Sequence, residues 1–220
     1  MNISRRHIAK AMVFAASSCL VHRSYAQTET AEKPVPKPYR DVSVPADKGH
    51  IIFFFDFLCP FCAKYHPSFM RWAPTVPKSI RVSSVPVVNA GNAATMRDQI
   101  IAARCFFAAK ELATPDQLNR FVSAVYINVS NGVPFSSQSG WITAVQSAGL
   151  DLGKFGKGIS ASSQLGSIRD SAKQVALYML DATPSVAIDG KYVVTPDNVG
   201  GNQEYFFTLI NGLASKILVG

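Results

Sequence analysis

The sequence predicts an α/β fold with an all-helical insertion between its second strand and a terminal hairpin. Three observations predict it. The unbroken apolar run Ile51 to Phe55 reads as a strand buried on both faces, and it leads into Cys59-Pro60-Phe61-Cys62. From about residue 92 to residue 180 the periodicity is helical. Two short apolar runs, Ser185 to Ile188 and Lys191 to Val194, then flank Asp189-Gly190, a clear hairpin signal.

The chain has 220 residues, ordinary for one domain, and a hydrophobic content of 48% supports a sizeable core. The formal charge of +8 is misleading, because half of it comes from Arg5, Arg6, Lys10 and Arg23 in residues 1–26, which hold no acid. The mild basic balance of the remainder comes without a basic stripe or recognition motif, so no nucleic-acid partner is expected.

Residues 1–26 read as a signal peptide. Arg5 and Arg6 form the positive region, Ile8 to Val21 a short apolar one, and Ser24-Tyr25-Ala26 a cleavage site, with Gln27 the mature start. The apolar run is shorter than the roughly 20 residues a membrane span needs. Ser4-Arg5-Arg6-His7-Ile8-Ala9-Lys10 also has the look of a twin-arginine signal, so either export route fits. Export implies an oxidising compartment. Cys19 leaves with the signal, and Cys59, Cys62 and Cys105 remain: one pair plus one single thiol is the simplest accounting.

In chain order, residues 27–38 are polar with three prolines and read as a flexible leader. Tyr39 to Val44 is a candidate edge strand, and Ala46 to Gly49 a turn. After the central strand a helix should run from Pro60 to about Trp72, kinked by Pro67 inside it. Ile80 to Val88 reads as the second strand, where Pro86 means that one part lies at an edge or leaves the ladder, and Asn89 to Asn92 as a loop.

Met96, Ile100, Ala103, Phe107 and Leu112 then suit one helical face, with Ile101 and Cys105 beside it. Thr114-Pro115-Asp116-Gln117 is a helix start with a capping box, and that helix, carrying Leu118, Phe121, Val122 and Val125, should end near Asn131-Gly132. Trp141 to Ala148 suggests a short helix closed by Gly149. Residues 151–159, glycine-rich and with Lys154 and Lys157, read as a solvated loop. Ile168, Ala172, Val175, Ala176 and Met179 mark a long amphipathic helix to about Leu180, and residues 202–218 a last one.

Cys-Pro-Phe-Cys carries the chemistry. Pro60 suits the first position of a helix, where its missing N–H costs nothing. Cys59 then caps the helix, at the positive end of its dipole, where a thiolate is favoured, and Cys62 follows one turn on. Half of a zinc site is a competing reading, but Cys105, His50 and His66 lack the paired spacing of a closed site. A purely structural disulfide is another, but so short a loop stabilises little. Redox chemistry is the favoured reading.

FFFDFLCPFC, the helical insertion and Thr183-Pro184 before SVAIDGKYVV together resemble the thioredoxin superfamily, and within it the DsbA-like thiol:disulfide interchange proteins of the bacterial periplasm. The resemblance covers residues 39–218, and implies a thioredoxin fold with a helical insertion at about residues 92–180 of a domain spanning 39–220. It makes Cys59 the exposed nucleophile, Cys62 the buried resolving thiol and Pro184 a cis-proline. The cis-proline would set the Thr183 backbone beside a Cys59–Cys62 disulfide to hold an extended client. Pro67 matches the kink proline of the superfamily.

Some residues depart from the pattern. Phe61 stands where strongly oxidising members carry histidine, and it can neither donate nor carry charge. The Cys59 pKa should therefore fall in the upper part of the roughly 3.5–7.5 range of such sites. Phe53 stands where a buried carboxylate is usual. Asp56 either substitutes for that carboxylate or caps the strand-end loop. Thr183 is commoner in isomerase-like branches. Cys105 reads as a small core residue and His66 as a surface or partly packed one. Phe57, Leu58, Phe61 and Tyr65 form an apolar rim for clients or, in part, core.

The resulting expectation is a monomeric periplasmic oxidoreductase that gives its disulfide to exported, unfolded proteins, needs no metal or organic cofactor, and is reoxidised by a DsbB-type membrane partner. Its rivals are a reductase or isomerase in the same compartment, and a redox-inactive client-binding or assembly protein on a thioredoxin scaffold.

Overall fold

The computed structural model describes residues 37–133, 137–162 and 164–219. The expected signal peptide, and all but the last two residues of the expected leader, lie outside them. The described residues form a mixed sheet of β1 (Arg40–Asp41), β2 (His50–Phe55), β3 (Arg81–Pro86), β4 (Ser185–Ile188) and β5 (Tyr192–Val194), in the spatial order β1-β5-β4-β2-β3. Around it stand α1 (Pro60–Trp72), α2 (Ala93–Leu112), α3 (Pro115–Ser130), α4 (Gln138–Ser147), α5 (Leu152–Ser160), α6 (Gln164–Leu177) and α7 (Gln203–Val219). This is a thioredoxin fold with a helical insertion, α2 to α6, between β3 and β4.

β2 pairs parallel with β3 and antiparallel with β4, so that Phe53 lies opposite Ser84 on one side and Val186 on the other. Its apolar run is unbroken because both faces are covered. Ile51, Phe53 and Phe55 enter the main core with residues of α1, α2 and α7, while Ile52 and Phe54 pack with Val87, Val175, Tyr178 and Val193. Each such side chain contributes about 1.5–3 kcal/mol by leaving water. β3 is an edge strand, as Pro86 requires, since a proline cannot donate to a ladder.

The expected first strand shortens to Arg40–Asp41, although Val42 and Val44 continue the pairing by donating to the carbonyls of Lys191 and Gly190 (both 2.8 Å). The hairpin turn is as expected. Asp189 and Gly190 both adopt positive φ, 58° and 63°. Glycine is required at position 190, where a Cβ would lie 2.0 Å from the Val44 carbonyl oxygen.

The helix boundaries follow their caps. Thr114 and Gln117 form the capping box of α3. Gly149, at φ 67°, closes α4 with a bond to the Gln146 carbonyl while Leu150 bonds that of Val145. α6 ends by the same motif at Leu177 rather than Leu180, with Met179 taking the left-handed position at φ 47°. α4 starts at Gln138, before the expected Trp141, because the Ser137 hydroxyl accepts from the Gly140 N–H.

Two expectations are corrected. Residues 152–160 are a helix, not a loop. Asp151 caps it at the Lys154 N–H (2.6 Å), Phe155 buries itself against Phe121, and Gly158 lets the backbone approach α2, where a Cβ would stand 3.1 Å from that of Ala108. Lys154 and Lys157 are exposed, as expected. The second correction is the face of α2. Gln99, Ala102, Ala103, Cys105 and Phe106 are buried, whereas Met96 is only half-buried and Leu112 exposed. The helix has two covered sides: Ala102 and Phe106 face the main core, and Ala103 packs with Val88 and Ile168. A single stripe therefore understates its burial.

Candidate active site

The site forms where β2 ends. Asp56 is the first residue beyond the strand, and its carbonyl accepts from the Cys59 N–H (3.1 Å), closing a turn that delivers Cys59 in extended conformation to the N-cap of α1. Pro60 takes the first helical position, and among the described residues no side chain caps the helix. The free N-terminal N–H groups are therefore left for the cysteine sulfur.

β4, the antiparallel neighbour of β2, brings the second half of the site. Thr183-Pro184, immediately before it, is a cis peptide. When protonated, the Cys59 Sγ donates to the Thr183 carbonyl oxygen at 3.1 Å, across 124 residues of sequence. Cys59 is half-buried and Cys62, one turn on, is fully buried.

The two thiols are driven apart in acidity. Hydrogen bonding from the Cys62 thiol, joined by the Thr183 side chain and the N–H groups of Cys62 and Phe61, lowers the Cys59 pKa to about 6 against the opposing effect of burial. Burial foremost, with Cys59 as a neighbour, pushes Cys62 far above its ordinary value. At neutral pH the arrangement holds a half-exposed thiolate in front of a protonated, sheltered thiol.

Asp56 is turned to the loop and to the insertion. One carboxylate oxygen accepts from the Leu58 N–H (2.9 Å) and the other from the Gln99 side chain (2.8 Å), while its own N–H donates to the Cys62 Sγ (3.4 Å). The loop-capping alternative thus has a bond behind it, and the contact with Cys62 runs through the Asp56 backbone.

The proposed rim divides. Leu58 and Phe61 are exposed beside Cys59, at 40% and 57%, whereas Phe57 and Tyr65 are core. His66 corrects its expectation, being buried with its Nε2 3.0 Å from the Asn119 Oδ1. Burial lowers its pKa to about 4, so it stays neutral near the dithiol. Cys105 is a buried core residue of α2, and burial pushes its thiol up. Phe53 stacks on Phe69 of α1, and no carboxylate occupies that place.

Two residues of the site's surroundings carry little signal in the sequence. Gln99 is buried on the 99, 102, 103, 106 stripe of α2, and a polar residue at that spacing was the available signal. Tyr126 of α3 packs on Phe57 and His66, and its buried hydroxyl has no hydrogen-bond partner among the described residues. Nothing local marks it. Among the described residues no cluster of His, Cys, Asp and Glu is arranged to hold a metal ion.

A thioredoxin fold presenting an activated thiol, a buried second thiol and a cis-proline loop defines a thiol:disulfide oxidoreductase. No family model matches the chain. Over 188 residues it is 26% identical to the thiol:disulfide interchange protein DsbA of Burkholderia cepacia, covering 84% of each chain. It is 23% identical to the DsbA of Bordetella pertussis over 163 residues, covering 72% of this chain and 73% of that one. Its fold matches the crystal structure of Pseudomonas aeruginosa DsbA with a TM-score of 0.69 at 19% identity, over 82% of this chain and 92% of that one. It also matches a complex of a Proteus mirabilis DsbA variant with a non-covalently bound peptide, PWATCDS, with a TM-score of 0.64 at 17% identity, over 84% and 97% of the chains. The chain is thus similar to the DsbA thiol:disulfide interchange proteins in sequence and in fold.

Proposed function

We propose that this oxidoreductase works in the periplasm and introduces disulfides into exported proteins through a Cys59–Cys62 couple. The observation that carries the proposal is the contrast between Cys59, half-exposed with a pKa near 6, and Cys62, buried and held protonated. A client thiolate attacks the Cys59 Sγ of the oxidised form. The Cys59–Cys62 bond breaks, its electron pair goes to Cys62, and a Cys59–client mixed disulfide forms. A second client thiolate then attacks the client sulfur, the client leaves oxidised, and Cys59 departs as a stabilised thiolate. The stability of that thiolate favours transfer towards the client.

In this reading Thr183 and Pro184 hold the client segment by its backbone, as an added strand. Leu58 and Phe61 give it an apolar landing beside the sulfur. Pro60, Phe61 and Asp56 tune the dithiol. A non-covalent peptide complex of a DsbA of the same fold supports client binding in general. Residues 1–26 serve as the export signal, residues 27–38 as a leader and residues 39–220 as the functional domain. The domain acts as a monomer, and a DsbB-type membrane partner reoxidises it. Among the described residues no helix is long and apolar enough to cross a membrane.

The test is the reduction potential of the couple, by equilibration with glutathione. A value near about −120 mV supports the disulfide donor, and one near about −270 mV assigns the reductive role instead. Full function of a Cys59→Ser variant in the cell would leave only a redox-inactive binding role.

A further inference from the structure

Gln99 lies on the buried stripe of α2, among alanines and Phe106, where an amide is costly unless both its ends are satisfied. Both are. Its Nε2 donates to the Asp56 Oδ2 at 2.8 Å, and its Oε1 accepts from the Asn89 N–H at 2.8 Å. These partners sit just beyond the ends of β2 and β3, where the backbone has left the ladder, so one side chain from the insertion ties together the two loops at that end of the sheet.

Asp56, so held, makes three contacts with the dithiol turn: its carbonyl with the Cys59 N–H, its carboxylate with the Leu58 N–H, and its N–H with the Cys62 Sγ. We propose that Gln99 is a positioning residue for disulfide exchange, acting through Asp56 to aim that N–H at the sulfur of Cys62. The inference rests on the exchange reaction proposed above.

Its effect falls on one step. When a thiolate attacks Cys59, the new S–S bond forms there, the Cys59–Cys62 bond breaks, and the electron pair departs on the Cys62 Sγ. That sulfur finally takes up, through solvent, the proton given up by the attacking thiol. Negative charge thus develops on a buried sulfur, and an N–H already aimed at it lowers the cost. Without the Gln99 amide the Asp56 carboxylate loses one of its two anchors, and the loop carrying the N–H is free to relax.

The experiment uses glutathione as the attacking thiol on the oxidised, full-length mature protein. In Gln99→Met, an apolar replacement of similar volume, the second-order rate constant should fall about fivefold, the scale of one lost hydrogen bond. Asp56→Ala should fall at least as far, and adding Gln99→Met to it should cost nothing more. A wild-type rate in Gln99→Met overturns the proposal even if its melting temperature drops, because that would mark a purely structural amide. Losses that multiply in the double variant overturn it too, since Gln99 would then not act through Asp56. Should Gln99→Met fail to fold, Gln99→Asn, too short to span both loops, carries the same expectation. A wild-type protein inert to glutathione would overturn the exchange reaction itself, and is recognised before any variant is made.

Discussion

The ring of Phe53 stacks on that of Phe69, with centroids 4.2 Å apart and planes 20° apart, at the place where the family resemblance puts a buried carboxylate. Position 53 is therefore packing, shared between the central strand and α1. Phe53→Ala should lower unfolding free energy by about 3–5 kcal/mol, read from urea denaturation, because it opens a cavity between two elements that cannot both close on it. Phe53→Glu should destabilise further, since the new carboxylate would be buried without a partner.

The Cys59 thiol should titrate near pH 6, read from thiolate absorbance in the ultraviolet, with Cys59→Ser abolishing the step. Its folded pKa lies below its ordinary 9.0, so the stabilisation it contributes to the reduced protein is complete above pH 9 and is lost as pH falls through about 6. The oxidised protein has no such thiol. The stability difference between the two forms should therefore move in favour of the reduced one as pH rises from 6 to 9.

The reduction potential should follow the same titration. Below the Cys59 pKa, reduction takes up two protons for two electrons, and the potential falls by about 59 mV per pH unit; above it, one proton and about 30 mV. A break near pH 6 is the expected result. A single steep line through pH 8 would mean that Cys59 stays protonated there.

Phe61→His should make the protein a stronger oxidant. The side chain at this position is exposed beside Cys59, and a protonated imidazole there would favour the thiolate. Each unit by which the Cys59 pKa falls should raise the potential by about 30 mV, measured against glutathione.

Gly190→Ala should destabilise the protein by about 3 kcal/mol without altering Cys59 titration in the folded fraction. The new Cβ would meet the Val44 carbonyl at 2.0 Å and force a positive φ on alanine, at the far end of β4 from Thr183. Thermal unfolding and thiolate absorbance separate the two effects.

What could be read from the chain was whatever is signalled between near neighbours. The Ile51–Phe55 run, Pro60 after Cys59, the Thr114–Gln117 box and Asp189-Gly190 each specify local backbone geometry, and each takes the expected form. The resemblance added Thr183-Pro184, which local chemistry would have left as an ordinary turn. Tertiary contact decided the rest. α5 is helical because Gly158 can lie against Ala108 and Phe155 has a pocket at Phe121, a gain that outweighs the poor helix propensity of its glycines. His66 is neutral because its burial against α3 outweighs the hydrogen bond with Asn119, which favours the charged form. Gln99 reaches Asp56 because the insertion folds back over the end of the sheet. The sequence by itself determined the central strand, the starts of α1 and α3, the hairpin turn and which residues carry the dithiol, since those depend on neighbours a few positions away. Only the tertiary structure decided which polar groups surround the sulfurs and how far apart their acidities lie, because desolvation and hydrogen bonding at a buried site are set by residues distant in the chain.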